Sequence, residues 1–469
     1  MMDRYLFVLG SNWQLSLAEL DNYLKNSQNK GRIIDYSATI AIVEFEKLHK
    51  DKHYVNKLME LQFILGGCQK IAKVYDFIDI QTIHEAFPLN INKFQDVARK
   101  RKKVLTILEN TLVGKNLIFP KAYESMFYAI SIYPNLYDDD YYTEILVKHF
   151  LPFLNTEIME IIKRRGSTKV LYYKYPEKNI KSGNLNPIFP HIVIKYDLLN
   201  ENRAELIFGF TEDGVYIART FTVDDPNFKK QIDEERPFKE FKSSISPKLA
   251  TIMLNFLNLF STRRKKKILD PFAGNGTILL FALLQDFLIY GSDNDIERIE
   301  HTTRNLNWLL ELLEEEIPPL FNKRITRCNI KNLAANYEHN FFDGICTEPE
   351  LGPYYLEKPY YSQVKELIET KLQPLYDDFL RESYKILKLG CRICFISPIF
   401  NTIDGGEVQL DIENLAGKYN FNQITLLDMN RLVKKSNEVL QFGRNQIKTM
   451  IDAKKGQIII RKLYVFEKQ

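Results

Sequence analysis

Two glycines and one acidic residue have the spacing of a site that binds a ribose. Residues 267–293 read KILDPFAGNGTILLFALLQDFLIYGSD. This pattern predicts a strand, a turn that contains Gly274 and Gly276, an apolar helix and a second strand that ends at Asp293. Glycines let the backbone turn tightly and approach a ligand, and a carboxylate at the end of the second strand accepts hydrogen bonds from both ribose hydroxyls. The segment therefore predicts a nucleotide-type α/β fold.

The same turn lacks the residues that hold a phosphate. Leu279 stands where a dinucleotide-binding loop has its third glycine, and Thr277 stands where a P-loop has its lysine. S-adenosylmethionine (SAM) carries a ribose and no phosphate, and the stretch DPFAGNGT resembles motif I of the class I SAM-dependent methyltransferases. The resemblance implies SAM as the cofactor and these cofactor-binding residues: Asp270, Phe272, Gly274, Gly276, Thr277 and Asp293.

A second candidate site follows a later apolar run. Residues 341–353 read FFDGICTEPELGP, and the run ends abruptly at Glu348 and Pro349. Ligands of an open parallel sheet sit beyond the carboxyl ends of its strands, so a polar residue here, restricted by the following proline, faces the cofactor crevice. We therefore predict that Glu348 and Pro349 form the catalytic position and that Glu348 holds an acceptor amine beside the cofactor.

The tetrapeptide EPEL at 348–351 resembles motif IV of the amino-methyltransferases. The usual motif is Asp, Asn, Ser or Glu followed by two prolines and an aromatic residue. Glu350 therefore replaces the second proline, and Leu351 replaces the aromatic residue. Stacking on the target base then falls to Tyr354 or Tyr355, or the base is held in another way.

The segments around these motifs predict a seven-stranded sheet. Residues 324–333 predict a third strand, in which Asn329 lies where this fold often places a cofactor-binding residue that meets the adenine amino group. A long amphipathic helix at about 364–387 leads to the strand CRICFISP, a strand near 423–427 and the antiparallel final strand QIIIRKLYVFEK. We predict a Rossmann-like class I methyltransferase domain over residues 236–469.

The preceding half predicts an α+β region. Residues 1–80 have the order βαββαβ, which is typical of a ferredoxin-like unit, with a capping box at Ser16–Glu19. Residues 81–235 combine basic helices with several strands, among them HIVIKY at 191–196, and a helix that ends in Lys-Arg-Arg-Gly before the strand VLYYKY. This helix and strand resemble a THUMP domain. The expected domains are therefore 1–80, 81–235 and 236–469.

The motifs run in one order through nearly the whole chain. YLFVLGSNWQLSLAEL near the amino terminus, the THUMP-like segment and PKLA at 247–250 ahead of motif I together resemble the THUMP-containing tRNA guanine-N2 methyltransferases that modify guanosine-10. The resemblance implies an RNA-docking amino-terminal half. It also implies a catalytic half that methylates the exocyclic N2 of a guanine in tRNA, after the base is flipped out of its stem.

Three basic runs are candidates for contacts with RNA phosphates: ARKRKK at 98–103, KRRG at 163–166 and RRKKK at 263–267. Such runs are also common at solvated helix ends. We predict that the amino-terminal half binds RNA through the Lys-Arg-Arg cluster, which consists of Lys163, Arg164 and Arg165.

The composition indicates a globular chain. Of its 469 residues, 45% are hydrophobic and the formal net charge is only +4. No apolar run approaches the roughly 20 residues of a membrane span, and the start lacks a signal-peptide pattern, so a soluble cytoplasmic protein is expected. Five cysteines and seven scattered histidines predict neither a disulfide framework nor a metal site.

Three functions stay open at this point. The first is a SAM-dependent methyltransferase acting on guanine N2 in tRNA. The second changes the substrate to guanine N2 in ribosomal RNA or adenine N6 in DNA, because the chemistry at Glu348 and Pro349 is shared among such acceptors. The third is a methyltransferase-like RNA-binding protein without catalysis, which the residues Glu350, Leu351 and Asn329 motivate. The number of methyl groups and the need for a small activating subunit are also open.

Overall fold

The computed structural model contains two large sheets, one in each half of the chain. The residues that it describes are 4–27, 30–46, 54–89, 96–117, 123–137, 139–239, 245–260, 266–315, 321–454 and 456–469. Within these ranges, no helix is long and apolar enough to cross a membrane.

The first part of the chain has the predicted βαββαβ order. Its elements are β1 (Arg4–Leu9), α1 (Trp13–Asn26), β2 (Gly31–Tyr36), β3 (Ile40–Phe45), α2 (Tyr54–Ile64) and β4 (Cys68–Asp79). The strands are antiparallel neighbours in the order β2-β3-β1-β4. Along β1, Tyr5 and Phe7 join the core formed with the helices, whereas Leu6 and Val8 join a cluster on the other face, as the alternation of a strand requires.

The start of α1 differs from the prediction. The helix begins at Trp13, so the capping box predicted at Ser16–Glu19 is wrong. Asn12 caps the helix, and its side-chain oxygen accepts a hydrogen bond from an N–H of the first turn at 3.4 Å. Asparagine is as good an N-cap as serine, so Asn12 does at the earlier start of the helix what was predicted for Ser16. Glu19 is buried inside the helix and accepts a hydrogen bond from the Asn255 side chain of the carboxyl-terminal half at 2.5 Å.

The second part adds four strands to the same sheet. Its elements are α3 (Ile80–Ala86), α4 (Val97–Glu109), β5 (Ser125–Tyr133), α5 (Leu151–Arg164), β6 (Lys169–Tyr172), α6 (Glu177–Ser182), α7 (Pro190–Lys195), β7 (Arg203–Phe210), β8 (Gly214–Val223) and α8 (Pro226–Glu234). Turns of π-helix follow α4 at Asn110–Gly114 and precede α5 at Tyr142–Phe150. β8 pairs with β4, which gives the order β2-β3-β1-β4-β8-β7-β5-β6. Because one sheet crosses the predicted boundary at residue 80, the division of this half into two domains stays a prediction.

The strand predicted at 191–196 is wrong, because α7 occupies Pro190–Lys195. Proline has its φ fixed near the helical value and lacks an N–H that the first helical turn does not use, so Pro190 favours a helix start. Val193 is fully buried, whereas Ile194 is 41% exposed. The three consecutive apolar residues of the segment have no period of two, which is the pattern that a half-buried strand needs.

The carboxyl-terminal half contains the second sheet. Its elements are α9 (Pro247–Phe256), β9 (Lys267–Asp270), α10 (Thr277–Leu284), β10 (Leu288–Asp293), α11 (Ile296–Leu312), β11 (Ile325–Arg327), β12 (Phe342–Thr347), α12 (Tyr361–Leu367), α13 (Gln373–Ile386), β13 (Leu387–Asn401), β14 (Glu407–Gln409), α14 (Ile412–Gly417), β15 (Phe421–Gln423), β16 (Leu427–Asp428), β17 (Gln446–Ile447), β18 (Thr449–Asp452) and β19 (Ile459–Lys468). A π-helical turn at Ile368–Leu372 joins α12 to α13.

This sheet has the predicted Rossmann-like plan. Its main path is β11-β10-β9-β12-β13-β19-β15, with β14 paired to β13 and β18 paired to β19. The five strands β11, β10, β9, β12 and β13 are parallel to one another, and β19 is antiparallel to β13, β15 and β18. The predicted plan of seven strands with an antiparallel final strand is therefore confirmed along the main path, and β14 and β18 bring the described part of this sheet to nine strands.

Two predicted strands are shorter than expected. Within 324–333 only β11 is extended, because Asn329 caps a 3-10 turn at Ile330–Ala335. The strand predicted near 423–427 divides into β15, in the main sheet, and β16, which pairs with β17. Both differences lie at strand ends, so the order of the sheet is unaffected.

A strap, defined as residues 429–445 between β16 and β17, joins the carboxyl-terminal half to the amino-terminal sheet. Lys435 of the strap forms a buried ion pair with Asp35 on β2. Glu212 accepts hydrogen bonds from two strap N–H groups at 2.8 and 2.6 Å. One apolar core contains residues of both halves. The halves are therefore packed against each other rather than connected only by a linker.

Candidate active site

The turn after β9 is held by the residue that we predicted to bind a ribose. Gly274 has a φ of 53°, and its N–H donates to Asp293 Oδ2 at 2.9 Å. Gly276 has a φ of 80°, and a Cβ atom there would lie 2.9 Å from Thr302, so this position requires glycine. Asp293 Oδ1 also accepts from the N–H of Asp295 at 3.0 Å. A carboxylate has about four lone-pair sites, so Asp293 keeps acceptor capacity for a ligand.

Two side chains of α11 that the sequence did not single out hold the same turn. The Thr302 hydroxyl donates to the carbonyl oxygen of Gly274 at 2.7 Å. Asn305 donates to the carbonyl oxygens of Asn275 and Phe238, each at 2.8 Å. These bonds fix the backbone of the turn before any ligand arrives, which reduces the entropy lost on binding.

Three of the predicted cofactor residues make contacts within the protein. The Thr277 hydroxyl accepts a hydrogen bond from Arg236 at 2.8 Å, at the first position of α10. The Phe272 ring packs edge-on against Phe379 with centroids 5.6 Å apart. Asn329 is exposed, and its Oδ1 caps the following 3-10 turn at 3.0 Å. The three residues follow the carboxyl ends of β9 and β11, and their roles toward a cofactor stay predictions.

Asp270 is a buried carboxyl group at the end of β9. Its Oδ1 accepts hydrogen bonds from the Thr347 hydroxyl at 2.6 Å and from the N–H of Phe272 at 3.2 Å. Burial raises the pKa of Asp270 from 3.8 to about 7 in spite of these bonds, and the carboxyl groups of Asp293 and Glu348 add to the rise. No described Lys or Arg is a partner of Asp270. This edge of the sheet is therefore rich in carboxyl groups and fits a cationic ligand.

Glu348 follows β12 at the same edge and forms an ion pair with Arg461 of β19. Arg461 Nε donates to Oε1 at 2.6 Å and Nη2 donates to Oε2 at 3.5 Å, and each side chain is 14% exposed. Burial raises the pKa of Glu348, Arg461 opposes the rise, and Asp452 of β18 adds to it. Burial also disfavours the charged form of Arg461, but the Glu348 carboxylate outweighs this effect, and the pKa of Arg461 is raised. The sequence did not identify Arg461.

The residues after Glu348 form a loop that differs from the usual motif. Pro349 is buried, and exposed Glu350 forms an ion pair with Lys371 of the π-helical turn. The Tyr355 ring is half-buried and packs edge-on against an aromatic ring of β13 at 6.4 Å. Tyr354 is 66% exposed, so it has more ring surface available for stacking on a base. Both tyrosines stay candidates for that role.

The Lys-Arg-Arg cluster lies at the end of α5, in the half that contains the other sheet. Its side chains are exposed, with Lys163 paired to Glu160 at 3.0 Å and Arg164 paired to Glu109 at 2.6 Å. The cluster therefore lies in a different half of the chain from Asp293 and Glu348. The run at 98–103 lies in α4, and residues 263–265 of the third run lie outside the described residues.

The described ranges contain no group of three or more His, Cys, Asp or Glu side chains that could hold a metal ion. All five cysteines are free thiols. Cys391 and Cys394 both lie in β13, where Cys394 is fully buried beside Cys346 of β12.

Comparison with known proteins agrees with the family resemblance that the motifs indicate. No family model matches the chain. The curated tRNA (guanine(10)-N2)-dimethyltransferase of Methanothermobacter thermautotrophicus is 28% identical over 190 residues, which is 40% of this chain and 46% of that relative. The chain thus matches less than half the length of this relative.

Solved structures match over the whole chain. TrmN from Thermus thermophilus has a TM-score of 0.50 at 14% identity and covers 99% of this chain and 100% of its own. The possible methylase from Clostridium difficile 630 has a TM-score of 0.42 at 11% identity and covers 100% of this chain and 99% of its own. We base the fold on the first likeness alone. The chain therefore has the fold of TrmN, and the curated relative confirms the resemblance to the tRNA guanine-N2 methyltransferases that the motifs predicted.

Proposed function

We propose that the protein is a SAM-dependent methyltransferase that acts on the exocyclic N2 of a guanine in tRNA, with guanosine-10 as the first candidate. One observation carries the proposal. Glu348, a carboxyl group at the end of β12, shares a sheet edge with the turn held by Asp293, and both interact electrostatically with Asp270. The similarity to a tRNA (guanine(10)-N2)-dimethyltransferase supports tRNA as the substrate.

The residues of the turn suit SAM. When bound, SAM supplies a methyl group on a positively charged sulfur. The free lone pairs of Asp293 suit the two ribose hydroxyls, and the closely approaching backbone at Gly274 leaves room for the ribose. The buried carboxyl of Asp270, which has no described cationic partner, favours a ligand with positive charge.

Glu348 has two tasks in this scheme. The lone pair of an exocyclic amine is delocalised into the ring, so the protein must orient the nitrogen toward the methyl carbon, and orientation supplies much of the rate. The Glu348 carboxylate accepts hydrogen bonds from the amine, and Pro349 restricts the backbone that carries it. After the nitrogen gains the methyl group it must lose one proton, and Glu348 is the nearby group that can accept it.

The amino-terminal half would bind the RNA. The exposed Lys-Arg-Arg cluster suits contacts with phosphates, which position the substrate without reading its sequence. The target amine of a paired guanine is not accessible within a stem, so the base must be flipped into the site, where Tyr354 or Tyr355 would stack on it. We also propose a cytoplasmic location, consistent with five free thiols.

Mass spectrometry of nucleosides tests the proposal. Bulk tRNA and, in a separate reaction, ribosomal RNA are incubated with the protein and methyl-labelled SAM and are then digested to nucleosides. We expect label in N2-methylguanosine or N2,N2-dimethylguanosine, and the two masses distinguish one methyl group from two. Label in an adenosine, or in ribosomal RNA but not tRNA, would contradict the substrate. Absence of label, with and without a cell extract that could supply a small subunit, would contradict the activity.

A further inference from the structure

In a site that is proposed to hold a neutral base, the Glu348 carboxylate forms an ion pair with Arg461. Arg461 lies near the start of β19, where it faces Pro398 of β13 and Asp452 of β18. It reaches the Glu348 carboxylate with two nitrogens, at 2.6 and 3.5 Å. We propose that this pair makes the acceptor site selective for guanine over adenine and cytosine, with Glu348 reading the base and Arg461 as its positioning residue. The inference rests on the proposed function and deepens it.

Selectivity follows from what a carboxylate can accept. Guanine has two adjacent donors on its Watson–Crick edge, the ring N1–H and the 2-amino group, and an ionised carboxylate can accept from both. Adenine and cytosine place a ring nitrogen lone pair beside the amino group. A carboxylate, which only accepts, meets that lone pair with repulsion, whereas an amide offers one donor and one acceptor and matches it. Glutamate at position 348 therefore distinguishes bases that an asparagine would not.

Selectivity for guanine requires that the Glu348 carboxylate is ionised and held in a fixed orientation. Burial disfavours the charge of Glu348, and Asp452 disfavours it further. Two other groups interact with Glu348, the Asp270 carboxyl from β9 and the Tyr376 hydroxyl from α13. Arg461 is the described cation that opposes them, and its guanidinium does not deprotonate in proteins. Without Arg461 the pKa of Glu348 would rise, and protonated Glu348 would carry a donor that clashes with the donors of guanine.

The direct test exchanges the target base. A ligated tRNA carries either guanine or 2-aminopurine at the target position; 2-aminopurine keeps the 2-amino group and lacks the N1 proton. We expect the wild-type single-turnover rate to favour guanine by about ten- to a hundredfold. Glu348→Gln should reduce this preference to about threefold or less, because the glutamine amide can donate to the unprotonated N1.

A matched control lies on the same strand. Glu467 of β19 forms an ion pair with Arg392 of β13 at 3.3 Å, at the other end of the strand from Arg461. Glu467→Gln removes an equivalent charge and should keep the wild-type preference. The missing O6 of 2-aminopurine affects all variants alike, so the change in preference between variants isolates the contact with N1.

A second measurement addresses Arg461 and covers the case that Glu348→Gln is inactive on both bases. The rate on guanine is followed against pH for wild type, Arg461→Lys and Arg461→Gln, after the affinity for S-adenosylhomocysteine has shown that each variant is folded. In Arg461→Gln, the acidic limb of the pH–rate profile should move to higher pH, and the methylation rate should recover at alkaline pH. Arg461→Lys keeps the positive charge and should show most of the wild-type profile.

The outcomes separate the inference from the proposed function. If wild type methylates guanine but Glu348→Gln keeps the preference, or Arg461→Gln keeps the wild-type acidic limb, the inference is wrong and the proposed function stands. If wild type methylates no guanine in any RNA, the proposed function is wrong, and the inference is wrong with it.

Discussion

Replacement of Asp270 by asparagine should stabilise the cofactor-free protein against unfolding. Asp270 is 2% exposed, and its Oδ1 accepts from Thr347 and from the N–H of Phe272. An asparagine oxygen can keep both bonds. The substitution therefore removes the ionisation and leaves the local geometry largely intact.

The magnitude follows from the pKa of Asp270, which is 3.8 ordinarily and about 7 in the folded chain. The folded state binds the proton more tightly than the unfolded state, so stability falls as pH rises through this window and then levels off. Above pH 7, the full pKa difference lowers the free energy of unfolding of the wild type by about 4 kcal/mol relative to a chain in which residue 270 cannot ionise. Asparagine does not titrate. We therefore compare Asp270→Asn with wild type by the difference in their free energies of unfolding. This difference should be about 2 to 3 kcal/mol larger, in favour of the variant, at pH 8 than at pH 5.

Urea denaturation at the two pH values measures this difference. When both proteins carry Trp13→Phe, the fluorescence of Trp308 on α11 reports on the unfolding of the carboxyl-terminal half. SAM affinity should fall in the same variant, by about 1.5 to 3 kcal/mol, because a charged partner of the cation is lost. If Asp270→Asn is stabilised equally at both pH values, or is less stable than wild type at pH 8, then the folded protein does not disfavour the ionised form of Asp270. Undiminished SAM affinity would remove it from the cofactor site.

Three further predictions concern binding and stability. Asp293→Ala should weaken binding of S-adenosylhomocysteine by about 2 to 4 kcal/mol in calorimetric titration, and unchanged affinity in a folded variant would remove its assigned role. Neutralising the Lys-Arg-Arg cluster should weaken tRNA binding and lower its salt slope by roughly one for each lost phosphate contact, whereas an unchanged slope would make the cluster a solvated helix end. Lys70 and Glu205 form a fully buried ion pair between β4 and β7. Lys70→Met should cost about 3 to 5 kcal/mol in urea denaturation, and Lys70→Met with Glu205→Gln should recover most of it; an additive loss would contradict this reasoning.

The fold of the carboxyl-terminal half was predictable because its signals are local. Glycines at 274 and 276, the apolar strands around them and the acidic end of β10 each lie within one short segment. The sheet order then follows from the known plan of such units. The predicted element is wrong where two local signals compete. At Pro190–Lys195, a run of β-branched residues indicates a strand and the proline indicates the start of a helix.

The contacts that complete the site were not predictable, because they join distant parts of the chain. Arg461 is 113 positions from Glu348, and Arg236 is 41 positions from Thr277. A charged residue within the apolar strand QIIIRKLYVF was the one available signal for Arg461. It showed that something pairs with the charge, since buried charges are rarely unpaired, but the partner depends on how β19 and β12 meet in the sheet.

The packing of the two halves limits how an RNA could reach the site. A motion that separates the halves would break the ion pair between Lys435 of the strap and Asp35, and it would also break the bonds from strap N–H groups to Glu212. The halves also share one apolar core, so a large hinge motion would expose apolar surface to water. On the proposed function, the distance between the Lys-Arg-Arg cluster and Glu348 is then nearly fixed. An RNA held by its phosphates at that distance cannot be carried to the catalytic edge by domain closure, so the target base itself must leave its stem to meet Glu348.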